Sequence, residues 1–284
     1  MKYLAEAKKA GAWAEIEKPF WWDTPLWLST GHVQSVGIAH NHMQRGGVLG
    51  TEAWGRPRDL ERYPGAHGNG LYTQDLYYRI LNCGLRIPPS AGSASGVLPN
   101  PVGYNRVYVQ CGATLDWDRW WDGLAKGRSF VTNGPLLRLT ANGALPGEVM
   151  KSDGALKVVV TGRLSSNDAI RKIELVRNGT VSEVKLPLEF RADRSGWFLV
   201  RAIAEVKETF RFASTAPWYV EIGGAPMKVD RESALFFLEW ARERKVRVEA
   251  ALPDPAQRAE VAAAHQAAVA YWQEMVATAA AVGR

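Results

Sequence analysis

Residues 170–186 read IRKIELVRNGTVSEVKL, and this stretch decides the fold of the C-terminal half of the chain. Two β-rich runs flank the dipeptide Asn178-Gly179. Asparagine and glycine both tolerate positive φ, which a type I′ turn requires at its two central positions. The stretch therefore predicts a β-hairpin with its turn at Asn178-Gly179.

Other short β-rich runs surround this hairpin and are separated by turns that contain Gly, Asn and Ser. The predicted strands lie at 136–141, 156–162, 170–177, 181–186, 197–205, 209–212 and 218–222. Regular short strands between such turns are typical of an antiparallel β-sandwich. We expect the sandwich to occupy residues 131–228, with C-terminal helices over residues 229–284.

Residues 1–130 have a different pattern and predict an α/β domain. An apolar run at 33–39 ends in His40-Asn41-His42, as when a buried strand brings polar side chains to the mouth of a sheet. The expected fold class is therefore α+β, with a partial α/β domain, an antiparallel β-sandwich and C-terminal helices.

Helices, a strand and an irregular loop follow in this half of the chain. Helices are predicted from Thr73 to Gly84 and over 116–126, because apolar residues recur at helical spacing and a glycine follows each. A short strand is expected at 85–87. Residues 88–96 are too rich in proline and small residues to predict regular structure.

Composition excludes several classes of protein. The net charge is +6, but Lys and Arg are spread along the chain, so we predict no nucleic-acid partner. Charged residues interrupt every apolar run, so no membrane span is expected. Cys83 and Cys111 are the two cysteines and form no disulfide framework, which favours a reducing compartment, the cytoplasm.

The order of four motifs resembles one known family. The motifs are His40-Asn41-His42, Gly84-Leu85-Arg86-Ile87-Pro88, Gly92-Ser93-Ala94-Ser95-Gly96 and the stretch 120–135 that ends in Phe-Val-Thr-Asn-Gly-Pro. In this order they resemble the PHP (polymerase and histidinol phosphatase) superfamily, in the branch of the carbaryl-hydrolase-like metallohydrolases. The resemblance covers roughly residues 1–145 and implies a metal-dependent hydrolase of an ester, amide or phosphoester.

Departures from the family pattern fall on its metal ligands. The family's His-Pro is matched here by Lys18-Pro19, and its Gly-Ser-Asp-x-His ending has Ala94 and Gly96 in place of Asp and His. Neither Ala, Gly nor protonated Lys supplies a lone pair to a metal. Since 39 residues precede His40, the resemblance also implies a (β/α) barrel that starts midway, hence a partial barrel.

The candidate metal site and catalytic pair is His40 and His42. In an extended segment their side chains point to the same side, which suits two imidazole ligands of one divalent metal such as zinc, manganese or iron. The other reading is that His42 hydrogen-bonds loop backbone. Candidate further ligands are Glu17, Asp23 and His67, with Glu52 and Asp59 also considered.

Ligand contacts form a second set of expectations. Twelve tryptophans are present, and indoles stack on sugar faces as well as filling cores. A non-catalytic glycan- or protein-binding module, with a groove that includes Trp21, Trp22, Trp54 and Trp121, is therefore the alternative function. The residues expected to contact a small-molecule or glycan ligand are Trp22, Asn41, Trp54, Arg86, Ser93 and Arg106.

An Ala-rich helix predicted at 255–282 bears on the oligomeric state. Its apolar stripe is wide enough to pack against another surface, and a truncated sheet leaves an edge to be covered. We therefore expect a homo-oligomer, with the tail or the sheet edge in the interface. The alternative is a monomer whose tail folds back on the sandwich.

Overall fold

The computed structural model of the chain describes residues 2–279, a mixed α+β fold. The helices are α1 (Lys2–Lys9), α2 (Thr24–Ser29), α3 (Gly68–Asn82), α4 (Trp117–Ala125), α5 (Arg231–Ala251) and α6 (Pro255–Thr278). Asp116, Asp230 and Asp254 cap α4, α5 and α6, each accepting a backbone N–H three residues on.

The strands of the N-terminal half are β1 (Glu15–Ile16), β2 (Ser35–Ala39), β3 (Met43–Gln44), β4 (Gly47–Val48), β5 (Pro89–Ala91), β6 (Arg106–Val109) and β7 (Ser129–Thr132). Those that follow are β8 (Leu136–Ala141), β9 (Val149–Ser152), β10 (Leu156–Ser165), β11 (Ile170–Arg177), β12 (Thr180–Val184), β13 (Leu188–Ala192), β14 (Gly196–Ala204), β15 (Phe212–Thr215) and β16 (Trp218–Ile222).

The hairpin predicted at Asn178-Gly179 is confirmed. β11 and β12 pair antiparallel, and Arg177 faces Thr180 across the turn. Asn178 has a φ of 48° and Gly179 a φ of 86°, so both central residues adopt the left-handed region. The local chemistry of these two residues is sufficient to place the turn.

Two sheets pack face to face in the C-terminal half, and both are antiparallel except for the parallel pair of β16 and β9. The smaller sheet has the order β13-β10-β8, and it packs on a larger eight-stranded sheet that includes β11, β14, β15 and β16. Apolar side chains from both sheets, among them Leu139, Val160, Val200 and Trp218, fill the space between them. This pair of sheets has the layered arrangement expected of a β-sandwich.

The larger sheet is buried on both faces, as β14 shows. Every residue of β14 is buried. Phe198 and Val200 face the smaller sheet, whereas Trp197, Leu199 and Ile203 belong to the core shared with the helices. The sheet therefore lies between the smaller sheet and a layer that contains α3 and α5.

A small parallel sheet positions the candidate site. Its order is β1-β2-β5, and β2 is parallel to both neighbours. α3 packs on it, with Leu76 and Ile80 in the same core as Val36 and Ile38 of β2. The described residues contain no closed barrel.

Several details differ from the sequence predictions. α3 begins at Gly68, five residues before the predicted start at Thr73, which lies inside the helix. The strand expected at 85–87 lies slightly later, as β5, inside the segment predicted to be irregular. The strand expected at 209–212 begins at Phe212. β7 includes residue 130, the predicted end of the first domain, and pairs with both β6 and β15, so the sheet is continuous across that boundary.

The C-terminal tail packs on its own chain. α6 packs against α5 and α2, and Trp272 is fully buried with its Nε1 donating to Pro25 O at 2.9 Å. The predicted helix 255–282 extends beyond the described residues, which end at 279. α6 buries Ala268, Val269 and Trp272 within the chain, other residues of its apolar stripe stay partly exposed, and the homo-oligomer stays a prediction. Among the described helices, none is long and apolar enough to cross a bilayer.

Candidate functional site

The carboxyl ends of the three parallel strands meet at one edge of the small sheet. Glu17 and Lys18 follow β1, His40, Asn41 and His42 follow β2, and Ser93 lies just after β5. We call these six residues the strand-end site. Polar side chains at the carboxyl ends of parallel strands are the usual position of ligand sites in such sheets.

Gly37 allows the first two strands to approach this closely. A Cβ atom at Gly37 would lie 2.2 Å from the carbonyl oxygen of Glu17, which is far inside contact distance. Any side chain at position 37 would therefore push β1, and with it Glu17 and Lys18, away from the histidines. The glycine sets the width of the strand-end site.

The two histidine rings lie next to each other in the interior. Their centroids are 5.3 Å apart and their planes nearly perpendicular, and the Phe20 ring packs against both at 5.2 and 5.3 Å. Nε2 of His40 lies 3.0 Å from Oγ1 of Thr73 on α3. Exposure is 0% for His40 and 3% for His42, so neither ring faces open solvent.

Both imidazoles are held neutral. Burial lowers the pKa of His40 well below its usual value, and the neighbouring His42 and Lys18 lower it further. Burial and Lys18 also lower the pKa of His42 to about 4, although the Thr51 backbone and Glu52 oppose the shift. Neutral imidazoles keep a lone pair for a metal or a hydrogen-bond donor, but they are weak bases at neutral pH.

Lys18 places a buried positive charge beside these rings. Its residue is 5% exposed, its Nζ lies 2.8 Å from Oε2 of Glu17, and the same Nζ lies 4.7 Å from the centre of the Trp21 ring. A buried ammonium persists only when it is paired, and Glu17 with the indole face supplies that pairing.

Two asparagines and a serine brace the strand-end loops. Nδ2 of Asn105 donates to the carbonyl oxygens of His40 and Met43, at 3.0 and 3.2 Å. Nδ2 of Asn100 donates to Asn41 O at 3.0 Å. Oγ of Ser93 accepts from Asn105 N at 2.9 Å, so the loop after β5 holds the loop after β2.

Several buried polar atoms in and around the site have no hydrogen-bond partner among residues 2–279. They are Glu17 Oε1, His40 Nδ1, Asn41 Oδ1, His42 Nδ1, Asn69 Oδ1, Ser90 Oγ, Asn100 Oδ1 and Asn105 Oδ1. Leaving a buried polar atom unpaired costs about 1–3 kcal/mol. A concentration of such atoms at one sheet edge favours a site that binds something polar.

The predicted metal ligands do not converge. Asp23 binds Arg244 at 2.7 and 3.0 Å, and His67 lies 2.6 Å from Val206 O. Glu52 pairs with Arg58 and accepts from Asn69, and Asp59 caps its own turn. Within residues 2–279, no group of three His, Cys, Asp or Glu side chains is arranged to hold a metal.

The histidine pair therefore does not by itself complete a metal centre. His40 and His42 could donate through their unpartnered Nδ1 atoms, but one oxygen of Glu17 is engaged by Lys18. The ammonium of Lys18 would also repel a divalent cation at this place. Two neutral ligands beside a positive charge are a poor match for zinc, manganese or iron.

The predicted ligand contacts divide between the site and the surface. Asn41 and Ser93 lie in the strand-end site. Trp22 is covered by Arg247, whose Cζ is 4.3 Å from the ring centre, and Trp54 is 88% exposed on a loop. The two arginines expected to contact a ligand make other interactions. Arg86 binds Glu221 and stacks on Tyr219. Arg106 donates to the carbonyl oxygens of Gly103 and Tyr104.

Sequence reasoning missed four members of this region. Thr73, Asn100 and Asn105 contact the histidine segment from distant parts of the chain. Thr73 was expected only as the start of a helix, and no local pattern marks the two asparagines. Lys18 was noted only as a departure from the family's His-Pro. Its signal was a charged residue beside Pro19 where a short buried strand ends.

Comparison with known proteins adds little to this description. No family model matches the chain, and no curated protein matches it. Among solved structures, the fibronectin(III)-like modules of Clostridium thermocellum CbhA are similar, with 18% identity and a TM-score of 0.21 over 29% of this chain and 94% of that chain. A similarity this weak supports no conclusion on fold or function.

Proposed function

We propose that this chain is a degenerate member of the PHP-like hydrolases whose strand-end site binds a small polar ligand without a resident metal. The ligand belongs to the classes that such hydrolases act on, an ester, an amide or a phosphoester. The observation that carries the proposal is the buried ammonium of Lys18 beside two neutral imidazoles.

The chemistry of the site suits an oxygen-bearing group. The Lys18 ammonium can donate to a carbonyl or phosphoryl oxygen and stabilise its negative charge, which is strongest where water is excluded. His40 and His42 each have an unpartnered Nδ1, and a neutral imidazole can donate or accept there according to its tautomer. These groups bind and orient a ligand and do not require a metal to do so.

A second candidate is metal-dependent hydrolysis of the same substrate classes. It is favoured by the two unpartnered Nδ1 atoms, which are free to ligate zinc, manganese or iron. The remaining ligands would have to come from outside the described residues. When bound, such a metal would activate water for attack on the ester, amide or phosphoester.

Metal analysis, two variants of Lys18 and a control variant at Lys157 separate the two candidates. If the site works without a metal, the purified chain should contain no stoichiometric metal. Acetate or inorganic phosphate should then shift the imidazole NMR signals of His40 and His42. Lys18→Met abolishes those shifts, whereas Lys157→Met, which removes an exposed lysine, leaves them. Lys18→His, which adds a third imidazole, gives the chain a zinc site that the parent lacks.

The opposite results support the hydrolase. Stoichiometric metal that a His40→Ala/His42→Ala double variant loses, and that Lys18→Met retains or binds more tightly, would refute the metal-free site. Unchanged imidazole signals with both anions, in a chain shown to be folded by circular dichroism, would also refute it.

A further inference from the structure

A cleft of about 730 Å³ lies on the side of α3 that faces the sandwich turns. Its walls come from the end of α3, the β11–β12 turn, the β13–β14 turn and the loop between β16 and α5. Small-molecule sites usually enclose about 300–1,000 Å³ and lie where structural units meet. The cleft is therefore the right size for a small organic molecule and too large for a single ion.

Two asparagine side chains at the cleft are oriented by Trp197. Oδ1 of Asn82 accepts from Trp197 Nε1 at 2.9 Å, and Oδ1 of Asn178 accepts from Trp197 N at 2.8 Å. Indole and backbone nitrogens can only donate, so the amide oxygens are identified and the NH₂ groups must point away from them. Both asparagines line the cleft, and their side-chain hydrogen bonds among the described residues are made through Oδ1.

Charged side chains at the cleft leave donors in excess of acceptors. Asp75 binds both Arg62 and Arg79, and Asp230 accepts from the N–H and the hydroxyl of Ser233 at the start of α5. Arg194 and Lys228 are exposed at the cleft without an ion-pair partner among the described residues.

Asp193 and Glu232 are the carboxylates that remain at the cleft. Glu232 lies in the first turn of α5, where the helix dipole partly neutralises its charge. Formal charges at the cleft balance, with four cationic side chains (Arg62, Arg79, Arg194, Lys228) and four anionic ones (Asp75, Asp193, Asp230, Glu232). Because Asp75 is engaged by two arginines, and Asp230 and Glu232 lie at the N-terminus of α5, the two amide NH₂ groups, Arg194 and Lys228 face Asp193 as the remaining carboxylate.

We propose that this cleft binds a small organic anion that carries carboxylate or phosphate groups. Lys228 and Arg194 neutralise the ligand from two sides, and the amide groups of Asn82 and Asn178 donate to its oxygens from the floor. The site is separate from the strand-end site, and the proposal does not depend on the function proposed there.

Side-chain amide NMR signals test the proposal directly, with citrate as the anion and sucrose as a neutral molecule of similar size. Citrate at about 10 mM should shift the Nδ2 signals of Asn82 and Asn178, because a bound oxyanion accepts from both groups, and sucrose should not. An Arg194→Glu/Lys228→Glu double variant should weaken citrate binding by tenfold or more, which is at least about 1.4 kcal/mol, because it removes both charge-assisted contacts.

The control variant is Arg163→Glu, which reverses an exposed arginine on β10, outside the cleft. It should leave citrate affinity unchanged, and so should Lys18→Met, which affects only the strand-end site. Absence of any citrate-induced shift at Asn82 and Asn178, an equal response to sucrose, or an equal loss of affinity in Arg163→Glu would each overturn the proposal.

Discussion

The cluster of Glu174, Arg201 and Tyr78 and the strand-end site both bury polar side chains, but the strand-end site leaves several of its polar atoms without a partner. Nε of Arg201 donates to Glu174 at 2.5 Å and Nη1 of Arg201 donates to the Tyr78 hydroxyl at 3.1 Å. Burial alone would raise the pKa of Glu174, but Arg201 and Lys172 outweigh it and hold that pKa below its usual range. At the strand-end site, both His40 and His42 keep an unpartnered nitrogen.

This difference separates a structural cluster from a functional one. A satisfied buried pair joins the large sheet to α3 and stabilises the fold as long as both partners are present. Unpaired buried groups cost stability and are retained where they serve binding.

The largest effect is expected from Arg201→Met. It removes the buried partner of Glu174 and leaves only the partly exposed Lys172, which should lower the free energy of unfolding by about 3 kcal/mol, the lower end of the cost of breaking a buried ion pair. An Arg201→Met/Glu174→Leu double variant should recover most of that loss, because no uncompensated charge remains. Urea unfolding measures both, with the exposed Arg171→Met as control. A loss below about 1 kcal/mol in the single variant would contradict the assignment of a structural cluster.

A smaller loss is expected from Asn105→Ala, because this residue braces the strand-end site instead of facing a ligand. Its removal takes a donor from the carbonyl oxygens of His40 and Met43, the first of which still accepts from Met43 N, at a cost of about 1–3 kcal/mol in urea unfolding. Asn142→Ala is not a suitable control because that side chain is also paired. Asn167→Ala on an exposed turn serves instead, and an equal loss there would argue against a bracing role.

His265 of α6 is an intermediate case, with one long contact to Asp23 at 3.6 Å. Burial lowers its pKa below 6.5, Asp23 opposes the shift and Arg244 adds to it. The unfolded chain therefore takes up a proton below about pH 6.5 that the native chain resists, and stability from this residue falls as the pH drops. His265 can change the free energy of unfolding by at most about 1.4 kcal/mol per pH unit.

The measurement compares the parent chain with His265→Phe by urea unfolding between about pH 7.5 and about pH 5. The difference in free energy of unfolding between the two should change in favour of the variant as the pH falls. A pH-independent difference would show that the His265 pKa is not lowered.

The smallest change in stability is expected from a His40→Leu/Thr73→Val double variant. It replaces both partners of one buried hydrogen bond by apolar groups of similar size, which is nearly neutral or slightly stabilising. Urea unfolding should show a change below about 1 kcal/mol, while the anion-induced NMR signal of His42 is lost. A loss as large as that of Arg201→Met would place His40 with the structural cluster.

The hairpin shows what could be predicted from sequence. The turn at Asn178-Gly179 was located from two residues whose backbone preferences are local, and the strands on either side were found to within a few residues. α4 was similarly located between the cap Asp116 and Gly127, whose φ is 69°. The strand within segment 88–96 was not predicted, because proline and small residues are not typical of a strand. This strand, β5, forms by pairing with β2.

The strand-end site was predicted only in part. His40 and His42 were identified from the end of an apolar run, and the structure places them side by side. Glu17 was the one further candidate ligand found in this site, where it pairs with Lys18. Asp23 and His67 were expected nearby, but they pair with Arg244 and with the Val206 backbone in other parts of the molecule. Spacing along the chain carried no information on those distances.

The sequence by itself determined the elements whose causes lie within a few residues: the hairpin turn, the capped helices and the exit of His40 and His42 from a buried strand. Only the tertiary structure decided that Lys18 lies beside those rings, that Asn105 holds their loop and that α6 folds back on α2. Turns and caps are set by local dihedral preferences and nearby hydrogen bonds. Pairing of buried charges depends on which distant segments the packed core brings together. The distance between two such side chains cannot be read from their positions along the chain.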